Sequence, residues 1–322
     1  MQFSEPQWYA VKHRDENVVA QSRSGGVFTA LSDAVLQEGG VIYGCVLTED
    51  FRAVHIRGED TWDRDRMRGS KYVQSSLGDT LRKAQKDLEA GRKVLFTGTS
   101  CQIAGLRSFL GKDWDNLLCV DIVCHGVPSP AVWQAYLAWQ ERTHKMDVVF
   151  AEFRNKKTFG WREHTESLVM DDGEVVHSKV FTSLFYDHSI LRPSCYTCSF
   201  KNVMHPGDIT IADYWGVEKA APEFDDNKGV SLVLVNNVKG EQAFEAVKDM
   251  LRWKATSQEH SLQQPLLRPF PRPSHRDKFW TDFAEKDFGY LVRKYVGAGL
   301  WGKIKRKSKS LLRKFGKGRD IS

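Results

Sequence analysis

Four of the six cysteines in this 322-residue chain stand where thiols can do chemistry. Cys195 and Cys198 form the pair Cys195-Tyr196-Thr197-Cys198, a spacing that lets two thiolates reach one metal ion or cluster. A thioredoxin-like pair would open a helix directly after a strand. Here Leu191-Arg192-Pro193-Ser194 comes first, and Pro193 argues against a preceding strand. Cys101 lies in Val94 to Leu106, VLFTGTSCQIAGL, where a buried strand gives way to a turn and then a helix. The free N–H groups and dipole of a helix start favour a thiolate, as ligand or as nucleophile. Cys124, in Asp121-Ile122-Val123-Cys124-His125-Gly126-Val127-Pro128, also follows a predicted strand. In doubly wound sheets, ligands bind beyond the carboxyl ends of the strands. Cys101 and Cys124 are therefore predicted to face one site and to complete a four-thiolate set with Cys195 and Cys198. Such a set suits zinc or an iron–sulfur cluster, and spacing leaves both open. Cys45 and Cys119 lie inside apolar strands and read as small core residues.

Other segments read as contacts for a bound group. Ser22-Arg23-Ser24-Gly25-Gly26-Val27 leads into a helix, where hydroxyls and glycines let a phosphate approach backbone N–H groups. Gly69-Ser70-Lys71-Tyr72-Val73-Gln74-Ser75 gathers a lysine, an aromatic ring and hydroxyls in one loop, a mixture that suits a phosphate or a flavin edge. His125 has a nitrogen to offer a sulfide or a cofactor. Asp213, Tyr214 and Trp215 follow a predicted strand and are candidates for the wall on the substrate side.

These residues need a scaffold, and the hydrophobic pattern predicts an α/β one. Helices are expected at Gly25–Leu36, Thr80–Leu88, Gln102–Leu110 and Pro130–Gln140, alternating with strands at Val41–Leu47, Ala53–Ile56, Lys93–Phe96 and Leu117–Val123. That alternation predicts a mixed, mostly parallel sheet with helices on both faces, plus an irregular cluster-binding loop over Pro193–Gly207. The second half adds strands at Val148–Phe153, Ser167–Met170, Asp208–Ile211 and Val230–Val235, and helices at Val180–Ile190 and Gly240–Leu251. Residues 1–264 are expected to form the ligand-binding domain, 265–302 a Pro/Arg-rich connector and C-terminal segment, and 303–322 a basic tail.

Charge narrows the function classes. Nine basic residues and no acidic one fall between Lys303 and Arg319, so a net charge of +6 becomes −3 for the rest of the chain. A basic body for nucleic-acid binding is not expected. The tail spaces Ile304, Leu311, Leu312 and Phe315 like a helix, fit for an anionic membrane surface or an acidic partner. No apolar run is long enough to span a bilayer, and Met1 to Tyr9 lacks the apolar core of a secretory signal. A cytoplasmic location, possible contact with a membrane surface aside, and reduced thiols are expected.

Taken together, the segments resemble the coenzyme F420 hydrogenase/dehydrogenase beta-subunit family. The likeness runs in order through Ser24 to Leu31, Gly69 to Ser75, Gly98 to Leu106, Asp121 to Pro130, Leu191 to Lys201, Gly207 to Gly216 and Gly229 to Asn236. It implies an oxidoreductase with FAD and one [4Fe–4S] cluster, the latter on Cys101, Cys124, Cys195 and Cys198. It implies FAD contacts at Ser24, Gly25, Gly26, Thr29, Ser70, Lys71 and Tyr72, with Lys71 and His125 as the catalytic candidates. The implied partners are a separate ferredoxin or other redox protein and a small-molecule hydride donor or acceptor, either the deazaflavin coenzyme or another substrate. Two departures stand out. The ferredoxin-like cysteine motifs with which many members begin are not found before Cys45, and Ser100 stands where proline is expected. Two rivals remain. Ser100-Cys101-Gln102 resembles the Pro-Cys-Gln loop of cytosine-C5 methyltransferases, which would make Cys101 a nucleophile. A structural four-cysteine zinc site would make the chain a binding protein.

Overall fold

The computed structural model describes residues 2–297, so the basic tail lies outside the described residues. In chain order the elements are β1 (Gln2–His13), α1 (Glu16–Gln21), α2 (Val27–Gln37), β2 (Val41–Leu47), β3 (Ala53–Gly58), α3 (Thr61–Met67), α4 (Thr80–Glu89), β4 (Val94–Thr99), α5 (Ser100–Leu110), β5 (Leu117–Ile122) and α6 (Pro130–His144). There follow β6 (Val148–Glu152), α7 (Lys156–Phe159), β7 (Glu166–Met170), β8 (Val175–Ser178), α8 (Val180–Tyr186), β9 (Ile209–Asp213), α9 (Val217–Ala220) and β10 (Ser231–Asn237). The last are α10 (Val238–Glu245), β11 (Leu251–Thr256), α11 (Gln258–Ser261), α12 (Arg276–Glu285) and α13 (Phe288–Leu291).

Eight strands make one mixed sheet in the order β11-β1-β10-β9-β5-β4-β2-β3. The pairs β2–β4, β4–β5 and β5–β9 are parallel. Antiparallel pairs flank them on both sides. The α/β class holds, and its parallel part is the centre of the sheet. Side chains alternate along each strand, so the run Val94-Leu95-Phe96 feeds two layers. Val94 and Phe96 meet Ala84 and Leu88 of α4 and Ile103 and Leu106 of α5 on one face. Leu95 meets Val27, Leu31 and Val35 of α2 and Phe244 of α10 on the other.

A second sheet, β6-β7-β8, is antiparallel and carries the predicted strands at 148–153 and 167–170. Its core is aromatic: Trp133 and Tyr136 of α6, Phe181 of α8, Phe279 of α12 and Phe288 of α13 are all buried. Among the described residues, the segment beyond Pro273 is thus helical and packed through α12 and α13. No helix of the described residues is long and apolar enough to cross a membrane.

One unexpected strand appears and two expected helices end early. Residues 2–13 form a long strand with no clear signal of its own, because Glu5 and Pro6 interrupt the pattern; the ladder to β10 shifts register between Gln2 and Gln7. Proline donates no ladder hydrogen bond, which such an irregularity accommodates. The helix expected over Val180–Ile190 stops at Tyr186, and His188 adopts a left-handed φ of 66°. The helix expected over Gly240–Leu251 stops at Glu245, and Leu251 instead starts β11, which pairs with β1 from the far end of the chain.

Phe279→Ala should lower stability by about 3–5 kcal/mol in urea unfolding, as loss of a fully buried aromatic does. Trp62→Ala, at a side chain 66% exposed, should stay within about 0.5 kcal/mol. Equal effects would refute the packing of α12 on this core.

Candidate cofactor and cluster site

The parallel centre of the sheet puts the carboxyl ends of β4, β5 and β9 on one edge, and a cavity of about 1020 Å³ opens there. That is at the top of the ~300–1,000 Å³ range of small-molecule sites. Ser24, Gly26, Ser70, Lys71, Tyr72, Cys101, Cys124 and His125 all line it. Residues as distant in the chain as Ser24 and His125 thus meet in one space. Gly25 and Thr29 are not on its lining. A Cβ on Gly25 would lie 2.2 Å from the Val11 carbonyl oxygen, so this glycine lets the loop press against β1. Thr29 is buried in α2, where its hydroxyl accepts a hydrogen bond from Arg68 Nε at 3.1 Å. Gly26 caps α2 with a φ of 89°, a left-handed conformation natural to glycine.

The thiols come from different elements. Cys101 is exposed in the first turn of α5, 3.2 Å from the Thr99 hydroxyl. The start of α5 is pinned by Gln102, whose Oε1 accepts from the Thr99 N–H at 2.9 Å and whose Nε2 donates to Ser75 Oγ at 2.9 Å. Cys124 follows β5. Cys195 sits within the 3-10 turn Pro193–Thr197, and Cys198 ends it. A Cβ on Gly126, two residues after Cys124, would lie 3.6 Å from Cys195 Cβ, which brings the loop against the end of β5. Burial pushes the Cys124 thiol up to about 12, with Lys201 opposing. Burial raises Cys195 as well, and Cys101 and Cys198 add to the rise. Lys201 reaches the backbone of one of them: its ammonium donates to the Cys124 carbonyl oxygen. Burial pushes it below its ordinary value while Cys124, Cys198, Cys195 and Cys101 all pull it back. Among the described residues, no group of three or more His, Cys, Asp or Glu is arranged to hold a metal ion. Of the remaining thiols, Cys119 is buried in the core, whereas Cys45 lines the cavity.

His125 is held by rings. Its Nε2 lies 2.8 Å from His188 Nε2, and Phe270 stacks on both imidazoles at centroid distances of 4.0 and 4.4 Å. Burial drops His125 to about 3, and His188 adds to the drop, so the ring stays neutral. Asp213 and Trp215 line the cavity as expected, but Tyr214 turns into the core and pairs with Ser261 Oγ at 2.7 Å.

The sequence signals missed the opposite wall. Arg154 donates to the Tyr72 hydroxyl at 3.2 Å and to Asp213 at 2.5 Å, coupling the loop of Tyr72 to the end of β9. His164 and Tyr186, hydrogen-bonded to each other, line the same wall. Arg154 and His164 lie in the connection between β6 and β7 and Tyr186 ends α8, so no local pattern marks them. Lys71 is fixed from behind, its Nζ donating at 2.8 Å to the carbonyl oxygens of both Arg66 and Arg68.

The family model for the C-terminal region of the coenzyme F420 hydrogenase/dehydrogenase beta subunit matches residues 91–260. Among solved structures, a chain of the F420-reducing [NiFe] hydrogenase complex from Methanosarcina barkeri, studied as a xenon derivative, is similar to this chain with a TM-score of 0.52. The identity is 18%, over 78% of this chain and 82% of that one, a likeness of fold. No curated protein matches the chain.

Burial lowers Lys71 from an ordinary 10.5 to about 8, so its side chain is an ammonium below that pH and a free amine above it. Competitive acylation should therefore find Lys71 half-reactive near pH 8, and a midpoint at the ordinary lysine value would contradict its burial. The unfolded chain keeps this proton to higher pH, so stability should rise between about pH 8 and 10.5, and Lys71→Met should lack that rise.

Proposed function

Since the chain belongs to the coenzyme F420 hydrogenase/dehydrogenase beta-subunit family, we propose that it is an iron–sulfur flavoprotein oxidoreductase, with Cys101, Cys124, Cys195 and Cys198 holding a [4Fe–4S] cluster beside FAD. The observation that supports this reading is geometric: Cys101 and Cys124 line the cavity with Ser24, Gly26, Ser70, Lys71 and Tyr72, and the turn that carries Cys195 and Cys198 packs against Gly126 on the same lining. Four thiols with one lysine among them are a donor set for a cluster with net negative charge. The cavity is large enough for a dinucleotide, and the left-handed Gly26 opens the N-terminus of α2 beside it. When bound, FAD supplies two-electron chemistry and the cluster one-electron transfer, with coenzyme F420 or another small molecule as hydride donor or acceptor.

The chain's own residues then do the positioning. Gln102 ties the loop of Lys71 to the helix start of Cys101, so the flavin-type contacts and one cluster ligand move together. Lys71, held by the two carbonyls, directs positive charge at the electron-rich edge of a reduced ring. His125, neutral and fixed by His188 and Phe270, is a hydrogen-bond partner that does not add charge. Cys101 is the exposed member of the set, which makes its side the approach for a ferredoxin or other redox protein.

Protein purified without oxygen should show flavin absorption and about four irons with matching sulfide per chain, the content of one such cluster. Cys198→Ala should lose most of that iron, while Cys119→Ala, in the core, should keep it. A colourless protein with one bound zinc would overturn the proposal in favour of a structural site. A metal-free protein that transfers methyl groups only while Cys101 is intact would favour the thiol enzyme.

A further inference from the structure

The charge along the cavity is lopsided. Arg23, Arg68, Lys71, Arg154, Arg162 and Arg192 line it, against the single carboxylate of Asp213 among the described residues. Three of those cations have carboxylate partners: Arg68 with Asp65 at 3.2 Å, Arg154 with Asp213 at 2.5 Å and Arg162 with Asp225 at 2.7 Å. Arg23, Lys71 and Arg192 are in no ion pair among the described residues. The pyrophosphate of a dinucleotide brings fewer negative charges than that.

Arg23 is the most constrained of the three. Its Nη1 donates to the Arg154 carbonyl oxygen at 2.9 Å and its Nη2 to the Trp161 carbonyl oxygen at 3.4 Å, while its buried Nε has no partner. Carbonyls satisfy hydrogen bonds without cancelling charge. Asp213, the carboxylate on the lining, is committed to Arg154 and to Trp161 Nε1 at 3.0 Å. Burial works against the charged form of Arg23, and Arg154 adds to the strain. A guanidinium cannot escape by losing its proton, so a half-buried one with no carboxylate partner calls for an anion. The surroundings are aromatic: Trp161 and Trp215 stack at 4.8 Å and 8°, and His164 packs against Trp215 and Tyr186. Aromatic faces beside a cation displace part of its water and strengthen a pair between arginine and an oxyanion. Lys71 belongs to a different neighbourhood, that of Cys45 and Arg66.

We propose that the wall formed by Arg23, His164, Tyr186 and Trp215 is the substrate subsite, and that it seats the carboxylate or phosphate of a small anionic substrate on Arg23, apart from the dinucleotide. This rests on the flavoprotein reading and names its substrate class. Asp213 and Arg154 act here as positioning residues, since they hold Trp161 and Tyr72 around the anion.

The test is calorimetric titration of the full chain, purified without oxygen, with malonate, with inorganic phosphate and with neutral malonamide. Flavin and iron are quantified on each sample. Malonate or phosphate should bind and malonamide should not, and Arg23→Gln should weaken the anion about 10- to 100-fold, as loss of a charged hydrogen bond does, with flavin content unchanged. Tighter malonate points to a carboxylate substrate, and tighter phosphate to a phosphate ester. Loss of flavin from Arg23→Gln would assign the residue to the dinucleotide and overturn the proposal. Equal anion binding by the variant, or none by the parent, would also overturn it. A flavin-free parent that still binds anion through Arg23 would sink the flavoprotein reading and leave the anion site standing. Should Arg23→Gln not fold, protection of Arg23 from phenylglyoxal by either anion in the unsubstituted protein gives the same reading, and absence of protection refutes it.

Discussion

Two buried carboxylates under the edge of the sheet hold the candidate site together. Asp208, just before β9, accepts from the Cys119 N–H at 2.7 Å, from Arg107 of α5 at 2.8 Å and from Asn237 at 2.8 Å. Asp121, near the end of β5, accepts from the Thr210 hydroxyl at 2.6 Å and lies 2.9 Å from His205 Nδ1, which is also 3.2 Å from Ser100 Oγ. A carboxylate removed from water must find donors, and removing one partner of such a group costs several kilocalories per mole. The donors here come from β5, β9, β10, α5 and the loop that carries Cys195 and Cys198. Satisfying two charges therefore fixes the relative positions of these segments, and with them the thiols at their ends.

The same logic runs in reverse on the cavity side. There the excess is positive, and the protein leaves it uncancelled. Core packing has no use for unpaired cations facing an open space, since desolvation costs them stability. Such an excess is instead the complement of anions that arrive later. The single acid, Asp213, serves to orient Arg154 and Trp161 and does not neutralise the field.

The second sheet and the C-terminal helices give this wall its rigidity. Trp133, Phe153 and Phe181 pack within 4.4 to 6.0 Å of one another by centroid. Tyr72 leans on Phe153 and Phe185 from the cavity side. Through this aromatic layer α12 and α13 reach the back of the site. The segment that follows the Pro/Arg-rich connector is thus, through α12 and α13, part of what positions the loop of Tyr72.

The central βα units were legible because their signals are local. A buried run, a turn and a periodic helix follow one another within a few residues, and β2, β4, α5 and β5 lie where the pattern put them. That Cys101 and Cys124 share one lining was legible for a related reason: the carboxyl ends of adjacent parallel strands must lie together. Chemistry at short spacing also marked Cys195 and Cys198. The opposite wall could not be read this way. Arg154 and Asp213 are 59 positions apart, and Arg23 meets Arg154 across 131. Nothing near any of them in sequence announces the partner. Gly25 and Thr29 show the converse, since a glycine-rich helix start fits a phosphate and also fits close packing against a neighbouring strand. Only the tertiary structure decided that Gly25 presses on Val11 while Gly26 faces the cavity. Sequence alone determines which groups have the chemistry, because that depends on residue type and local backbone. Which of them share a space depends on long-range burial and on charges that must find partners, and only the folded chain resolves that.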